Sequence, residues 1–176
     1  MVKLEDGGTI SLDWAKPEEN TEFLSKSHSK NGPKRVCLIL PGQSGRGENE
    51  GYLIALVRTL MSDGFEVVVY NARGFGGNAY TSPKFADLTS TSEFDTMFTA
   101  IRERAGEDAE LVGVGVSLGA NTLLKVAGES KTDFPLKAIV SVNNPFDIQC
   151  VINLMRGTIY ERHLVRDLAN AILLRD

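Results

Sequence analysis

Glu110-Leu-Val-Gly-Val-Gly-Val-Ser-Leu-Gly-Ala-Asn-Thr-Leu-Leu-Lys125 passes from β-type apolar residues into a helical pattern through Gly115-Val116-Ser117-Leu118-Gly119. In a G-x-S-x-G elbow the serine sits on a strained strand-to-helix turn that lifts its hydroxyl above a sheet, over the N-terminus of the helix. Gly115 and Gly119 leave room for strand and helix to cross closely while Ser117 holds an unfavourable backbone conformation. At ordinary Gly and Ser usage a chain of this length shows the bare pattern by chance about one time in twenty. The flanks therefore decide between an elbow and a plain Gly-rich turn. Leu111, Val112 and Val114 before the turn, and Ala120, Leu123, Leu124 and Ala127 after it, supply the strand and helix that an elbow requires.

Outward from this stretch the chain alternates. Toward the N-terminus, Thr9-Ile-Ser-Leu-Asp-Trp14 has the period of a half-buried antiparallel strand entered from the Asp6-Gly7-Gly8 turn, and Pro17 to Lys34 reads as an exposed polar loop holding His28. Arg35 to Leu40 is a continuous apolar strand stopped by Pro41-Gly42-Gln43-Ser44-Gly45. Leu53, Leu56, Val57 and Leu60 follow at helical spacing, with Gly64 as the residue just past the C-cap. Phe65 to Tyr70 is the next buried strand, and Ser92-Glu-Phe-Asp95 has the form of a capping box opening a helix through Phe94, Met97, Phe98 and Ile101. After the elbow come a strand, Leu136 to Val142, and two helical stripes: Ile148, Val151, Ile152 and Met155, then Tyr160, Leu164, Leu168 and Ile172. Alternating strands and helices predict a three-layer α/β/α sandwich with a mostly parallel sheet, in one domain over residues 1–176, with 145–176 as a helical cap-like segment. A ligand would bind at the carboxyl ends of the strands, where Gln43, Asn71 to Arg73, Ser117 and Asn143-Asn144 converge.

Composition narrows the function classes. A net charge of −4 with scattered signs makes no electrostatic case for nucleic acid or an anionic membrane. The longest apolar run, Val36 to Pro41, is far short of the ~20 residues of a membrane span. The first residues show neither a secretory h-region nor an Arg-rich leader, which points to an intracellular compartment. Cys37 and Cys150 lack redox or metal-ligand spacing and are expected to be buried free thiols; no metal or cofactor site is read. Asn71-Ala-Arg-Gly-Phe-Gly-Gly77 begins as G-x-G, but its third glycine is off the dinucleotide spacing and no helix opens at once, so it is read as a structural loop.

Four stretches together resemble the α/β-hydrolases, and more narrowly their YheT-like, embryogenesis-associated branch: Asp6 to Trp14, Leu40-Pro-Gly-Gln-Ser-Gly45, Asn71 to Gly77, and Gly115 to Asn121 followed by Asn144-Pro-Phe-Asp147. The resemblance implies a serine hydrolase of carboxylic esters, with lipid or short acyl esters as substrates, on a partial α/β-hydrolase fold. It makes Ser117 the nucleophile and the backbone N–H of Leu118 one oxyanion donor, with the second from the Pro41-Gly42-Gln43 turn, for which Gln43 is chosen.

The acid and base of that fold follow the serine on turns after two later strands, and after Val142 the pattern is helical to Asp176. His163 stands mid-helix and is read as a solvated residue, and Asp147 as a helix cap. The expectation is thus a C-terminally incomplete domain, inactive by itself, whose strand 138–142 is an open sheet edge that a protein partner would cover. The alternative is a noncatalytic scaffold or subunit that kept the fold and lost the reaction.

Overall fold

The computed structural model of the chain describes residues 1–16, 32–43, 51–86, 90–130 and 134–173. Its six strands are β1 (Val2–Lys3), β2 (Thr9–Trp14), β3 (Arg35–Leu40), β4 (Glu66–Asn71), β5 (Glu110–Val116) and β6 (Ala138–Val142). They lie side by side in the order β1-β2-β4-β3-β5-β6. β1 and β2 run antiparallel to their neighbours, whereas β3, β4, β5 and β6 are mutually parallel. The helices are α1 (Gly51–Ser62), α2 (Phe94–Ala105), α3 (Leu118–Glu129), α4 (Ile148–Met155) and α5 (Ile159–Leu173).

Period-2 alternation within the apolar strands sorts the core into two layers. Val36, Leu38 and Leu40 of β3 join Val68, Tyr70 and Leu111 beneath α2 and α3, where Met97, Ile101, Leu123 and Val126 meet them. Cys37 and Ile39 face the other way and pack with Val67, Val69 and Val114 against Leu53 of α1. The predicted three layers are therefore present, and β5 is interior, paired with β3 and β6. α1 ends as its sequence predicts: Gly64 takes φ 83°, its N–H reaches the Met61 carbonyl at 3.0 Å and the Phe65 N–H the Leu60 carbonyl at 3.0 Å, the paired bonds of a Schellman motif.

Two expectations are corrected. Ser92 does not cap α2. Glu93 occupies the N-cap position without a side-chain cap bond, because its carboxylate is turned inward to Arg73 and Tyr70. Cys37 is buried, and its thiol is pushed up to about 12 by burial, but Cys150 is exposed, since α4 turns none of its residues into the core. The proposed loop 17–34 lies largely outside the described residues, as do His28, Ser44 and Gly45. β6 is the last strand of the sheet on its side, and Val140 is 55% exposed. Among the described residues no helix is long and apolar enough to cross a membrane.

Candidate active site

The chain reverses its direction of travel across the sheet between β3 and β5: from β3 it crosses to β4, and from β5 to β6. At such a switch point the two carboxyl-end turns diverge and leave a crevice. The turn after β3 carries Pro41, Gly42 and Gln43; the junction of β5 and α3 carries Ser117.

Ser117 has φ 52° and ψ −117°, outside the conformations that a residue with a Cβ normally adopts. Neighbouring backbone holds it there. Its N–H donates to the Val142 carbonyl of β6 at 2.8 Å, and its carbonyl accepts from the N–H groups of Ala120 at 3.0 Å and Asn121 at 3.2 Å. The flanking glycines are demanded by space. A Cβ on Gly115 would lie 2.4 Å from the Ala120 Cα, and one on Gly119 would lie 2.3 Å from the Leu40 carbonyl oxygen. Gly42 also lies close, since a Cβ there would be 3.5 Å from the Ser117 Cβ. The structure thus gathers Gly42, Gly115, Ser117, Leu118 and Gly119 at the first turn of α3, where the helix leaves N–H groups without intrahelical acceptors.

Gln43 and Leu118 line one cavity of about 300 Å³. Its other walls are mostly apolar, with Leu40, Phe75, Phe85 and Phe94 among them, and Leu168 of α5 also lines it. Ser117 lies beside this cavity, next to Leu118, rather than among its lining residues. The Gln43 side chain donates from Nε2 to the Leu164 carbonyl at 3.4 Å, linking the β3 turn to α5. Asn121 of α3 ties down the turn after β6, donating from Nδ2 to the Pro145 carbonyl at 3.1 Å and to Asn144 Oδ1 at 3.4 Å.

Asn71 and Arg73, expected to stabilise their own loop, mostly reach outside it: Asn71, at the end of β4, bonds to β2, and Arg73 to the start of α2 and the β1–β2 turn. Asn71 Nδ2 donates to Asp13 Oδ2 at 2.6 Å and Ser11 Oγ at 3.1 Å. Arg73 is held between Glu93 and Asp6. Burial alone would push its pKa down, but its hydrogen bonds to the Asp6 and Glu93 carboxylates outweigh burial and raise it. Tyr70 and Glu93 also stand in the cavity wall, and nothing local in the sequence marks either as a site residue. Tyr70 OH donates to Glu93 Oε1 at 3.3 Å, and burial, then the Glu93 charge, push its pKa well above the usual phenol value.

No side chain among the described residues is hydrogen-bonded to the Ser117 hydroxyl. His163 is exposed on α5 and engages its own helix, with Nε2 3.2 Å from Asp167 Oδ2 and Nδ1 3.3 Å from Arg166. Asp147 caps α4, its Oδ1 accepting from the Cys150 N–H at 2.8 Å.

Residues 31–169 match the family Hydrolase_4, described as serine aminopeptidase, S33. The chain belongs to the α/β-hydrolases. Among its relatives, the embryogenesis-associated protein EMB8 of Picea glauca is 33% identical over 147 residues, 84% of this chain and 31% of that protein. Phospholipase ABHD3 of Homo sapiens is 28% identical over 138 residues, covering 78% of this chain and 32% of the phospholipase. The α/β-hydrolase chain described here thus spans about a third of the length of these relatives. In fold it is similar to the esterase Pf2001 of Pyrococcus furiosus, with a TM-score of 0.64 at 14% identity over 97% of this chain and 59% of the esterase.

Proposed function

We propose that this α/β-hydrolase chain carries the nucleophile half of a carboxylic ester hydrolase of the YheT-like, embryogenesis-associated branch, acting on lipid or short acyl esters. The observation that carries the reading is Ser117 itself. A non-glycine residue at φ 52°, between two glycines that backbone contacts require, on the first turn of a helix and next to an apolar cavity, is a costly local geometry with a catalytic use. Similarity to EMB8 supports the branch, and similarity to a protein named a phospholipase supports ester substrates.

In the proposed reaction the Ser117 Oγ attacks the ester carbonyl carbon and its proton passes to a base. The carbonyl oxygen becomes an oxyanion facing the N–H groups of Leu118 and Gln43, and the alcohol leaves with a proton returned by that base. Water then hydrolyses the acyl-serine by the same route. The cavity that begins at Gln43 and Leu118 takes the acyl chain. Among the described residues His163 is engaged on α5, and we infer that the base is supplied by polypeptide covering the exposed edge of β6, the strand whose Val142 carbonyl already holds the Ser117 N–H.

The second reading, a noncatalytic scaffold, is favoured by the absence of any hydrogen-bonded base at Ser117 among the described residues. A fluorophosphonate probe separates the two. Phosphonylation of the native, folded protein at Ser117, abolished by Ser117→Ala, is the expected result for a hydrolase. Absence of labelling, with the partner polypeptides present, leaves the scaffold. The 176-residue chain by itself should show only the residual rate of a site without its base, ~10³ to 10⁴ over water. Enzyme-like hydrolysis of a p-nitrophenyl ester by the purified chain, lost in Ser117→Ala, would refute the requirement for a supplied base.

A further inference from the structure

Residues 72–86 connect β4 toward α2 and supply Phe75, Tyr80 and Phe85 to the cavity wall, yet this stretch contains no helix or strand. No backbone ladder sets where those rings stand. Within the stretch the buried Asn78 donates from Nδ2 to the Asn71 and Ala72 carbonyls at 3.2 Å, and Arg73 anchors it to the rest of the chain. Arg73 is 9% exposed; Nε donates to Glu93 Oε2 at 3.0 Å, and Nη1 donates to both carboxylate oxygens of Asp6 at 2.8 Å and to Ser82 Oγ at 3.1 Å. Asp6 lies in the β1–β2 turn and is itself fixed by the Gly8 N–H at 2.9 Å. A Cβ on Gly8 would sit 2.0 Å from Arg73 Nη1, so the turn presents a glycine where the guanidinium passes. A second tie runs beside the first, with Thr81 Oγ1 donating to the Gly7 carbonyl at 2.8 Å.

One guanidinium therefore joins three segments: the N-terminal turn, the wall loop and the start of α2. The opposite wall, with Leu40, Gly42 and Leu118, belongs to β3, the turn after it and α3, and has no contact with this latch among the hydrogen bonds above. Releasing Arg73 should move one side of the cavity and leave the other in place. A cavity of about 300 Å³ holds about ten methylene-sized groups, each close to the ~30 Å³ share of a water molecule.

We propose that Arg73, held by Asp6, is a positioning residue that sets the depth of the acyl cavity, so that the turn Asp6-Gly7-Gly8 determines which acyl chain length the site accepts. The inference rests on the reading of this cavity as the acyl site. Arg is required because its planar fork reaches two carboxylates in different directions, which a lysine ammonium does not reproduce. A latch that only stabilised the fold would change the affinity for every ligand alike. A latch that places the wall changes selectivity if only a long chain extends from Gln43 and Leu118 as far as the wall loop, which the chain-length comparison tests.

The test is equilibrium binding of decanoate and butyrate, measured by calorimetry on the native protein and on Asp6→Asn and Arg73→Lys, with circular dichroism as the check of folding. The wild type should prefer decanoate, and both variants should lose about tenfold of that preference, the burial of one to two methylene groups. Asp6 is partly exposed, so Asp6→Asn keeps the test decisive where Arg73→Lys does not fold. An unchanged decanoate-to-butyrate ratio in a folded variant, or a wild type without preference, overturns the proposal. Because binding is read without turnover, phosphonylation at Ser117 with no change in chain-length preference refutes the latch and leaves the hydrolase. A change in preference without phosphonylation does the reverse.

Discussion

Two alanine substitutions in one helix should move stability in opposite directions. Gly119 and Gly128 both lie in α3, and helix propensity alone favours alanine at each by up to about 1 kcal/mol. At Gly128 a Cβ meets nothing within 4 Å, so Gly128→Ala should keep a gain of about 0.5 kcal/mol, reduced from the full value by its place in the last turn. At Gly119 the same Cβ would lie 2.3 Å from the Leu40 carbonyl oxygen, 2.4 Å from that of Pro41 and 2.6 Å from the Leu40 carbonyl carbon. These are backbone atoms, and β3 cannot retreat because it is paired on both sides, with β4 and β5. The helix must shift instead, at the overpacking cost of about 1–3 kcal/mol or more, and the turn at Ser117 shifts with it. The net expectation for Gly119→Ala is a loss of about 2 kcal/mol. With a urea slope of about 2 kcal/mol/M, the midpoint should fall by about 1 M, and the melting temperature by about 4–8 °C. Equilibrium urea unfolding of the two variants beside the wild type is the assay. A Gly119→Ala protein as stable as the wild type would refute the close crossing of β3, β5 and α3 from which the strain at Ser117 is argued.

The Arg73 hydrogen bond, followed by the Gly8 N–H, lowers the Asp6 carboxyl from 3.8 to about 2. A carboxyl depressed in the folded state favours folding above its unfolded value and loses that contribution as pH falls through its folded value. The urea midpoint should therefore drop between about pH 4 and pH 2, and Asp6→Asn should flatten that limb; equal slopes would count against the ion pair. Maleimide should modify Cys150 in the folded protein and Cys37 only after unfolding, a difference that mass spectrometry reads directly. The amides of Val112 and Val114, in a strand paired on both sides, should exchange more slowly than those of β6, and fast exchange there would contradict the interior placement of β5.

Features written within a few consecutive residues were legible in the sequence. The apolar run Val36 to Leu40 implied burial on both faces, and both faces are covered. Gly64 announced the end of α1, and Asp147 the start of α4, because caps and Schellman turns are local hydrogen-bond patterns. Glu93 shows where local rules stop. Ser92-Glu-Phe-Asp95 satisfies a capping-box pattern, but Arg73, twenty residues earlier, draws the Glu93 carboxylate inward, and a charge-assisted hydrogen bond in a buried site outweighs a cap worth about 1 kcal/mol.

The last two helices mark the complementary boundary. Their periodicity correctly announced amphipathic helices, yet on the two apolar stripes Ile152 is 48% and Tyr160 66% exposed, because a period says which residues share a face and carries no information on what that face meets. The same asymmetry separates the two halves of the candidate site. The strained turn at Ser117 was legible because it is built from its own neighbours, Gly115 and Gly119, and from a strand and helix contiguous with it. A base is placed only by tertiary structure, through a side chain remote in sequence that must arrive within hydrogen-bond reach of the hydroxyl. The proposed nucleophile is a local feature of this chain, whereas a triad is a property of an assembled fold. For that reason Gly119→Ala should disturb Ser117 from within the chain, whereas the base proposed for its hydroxyl is to be sought at the exposed side of β6.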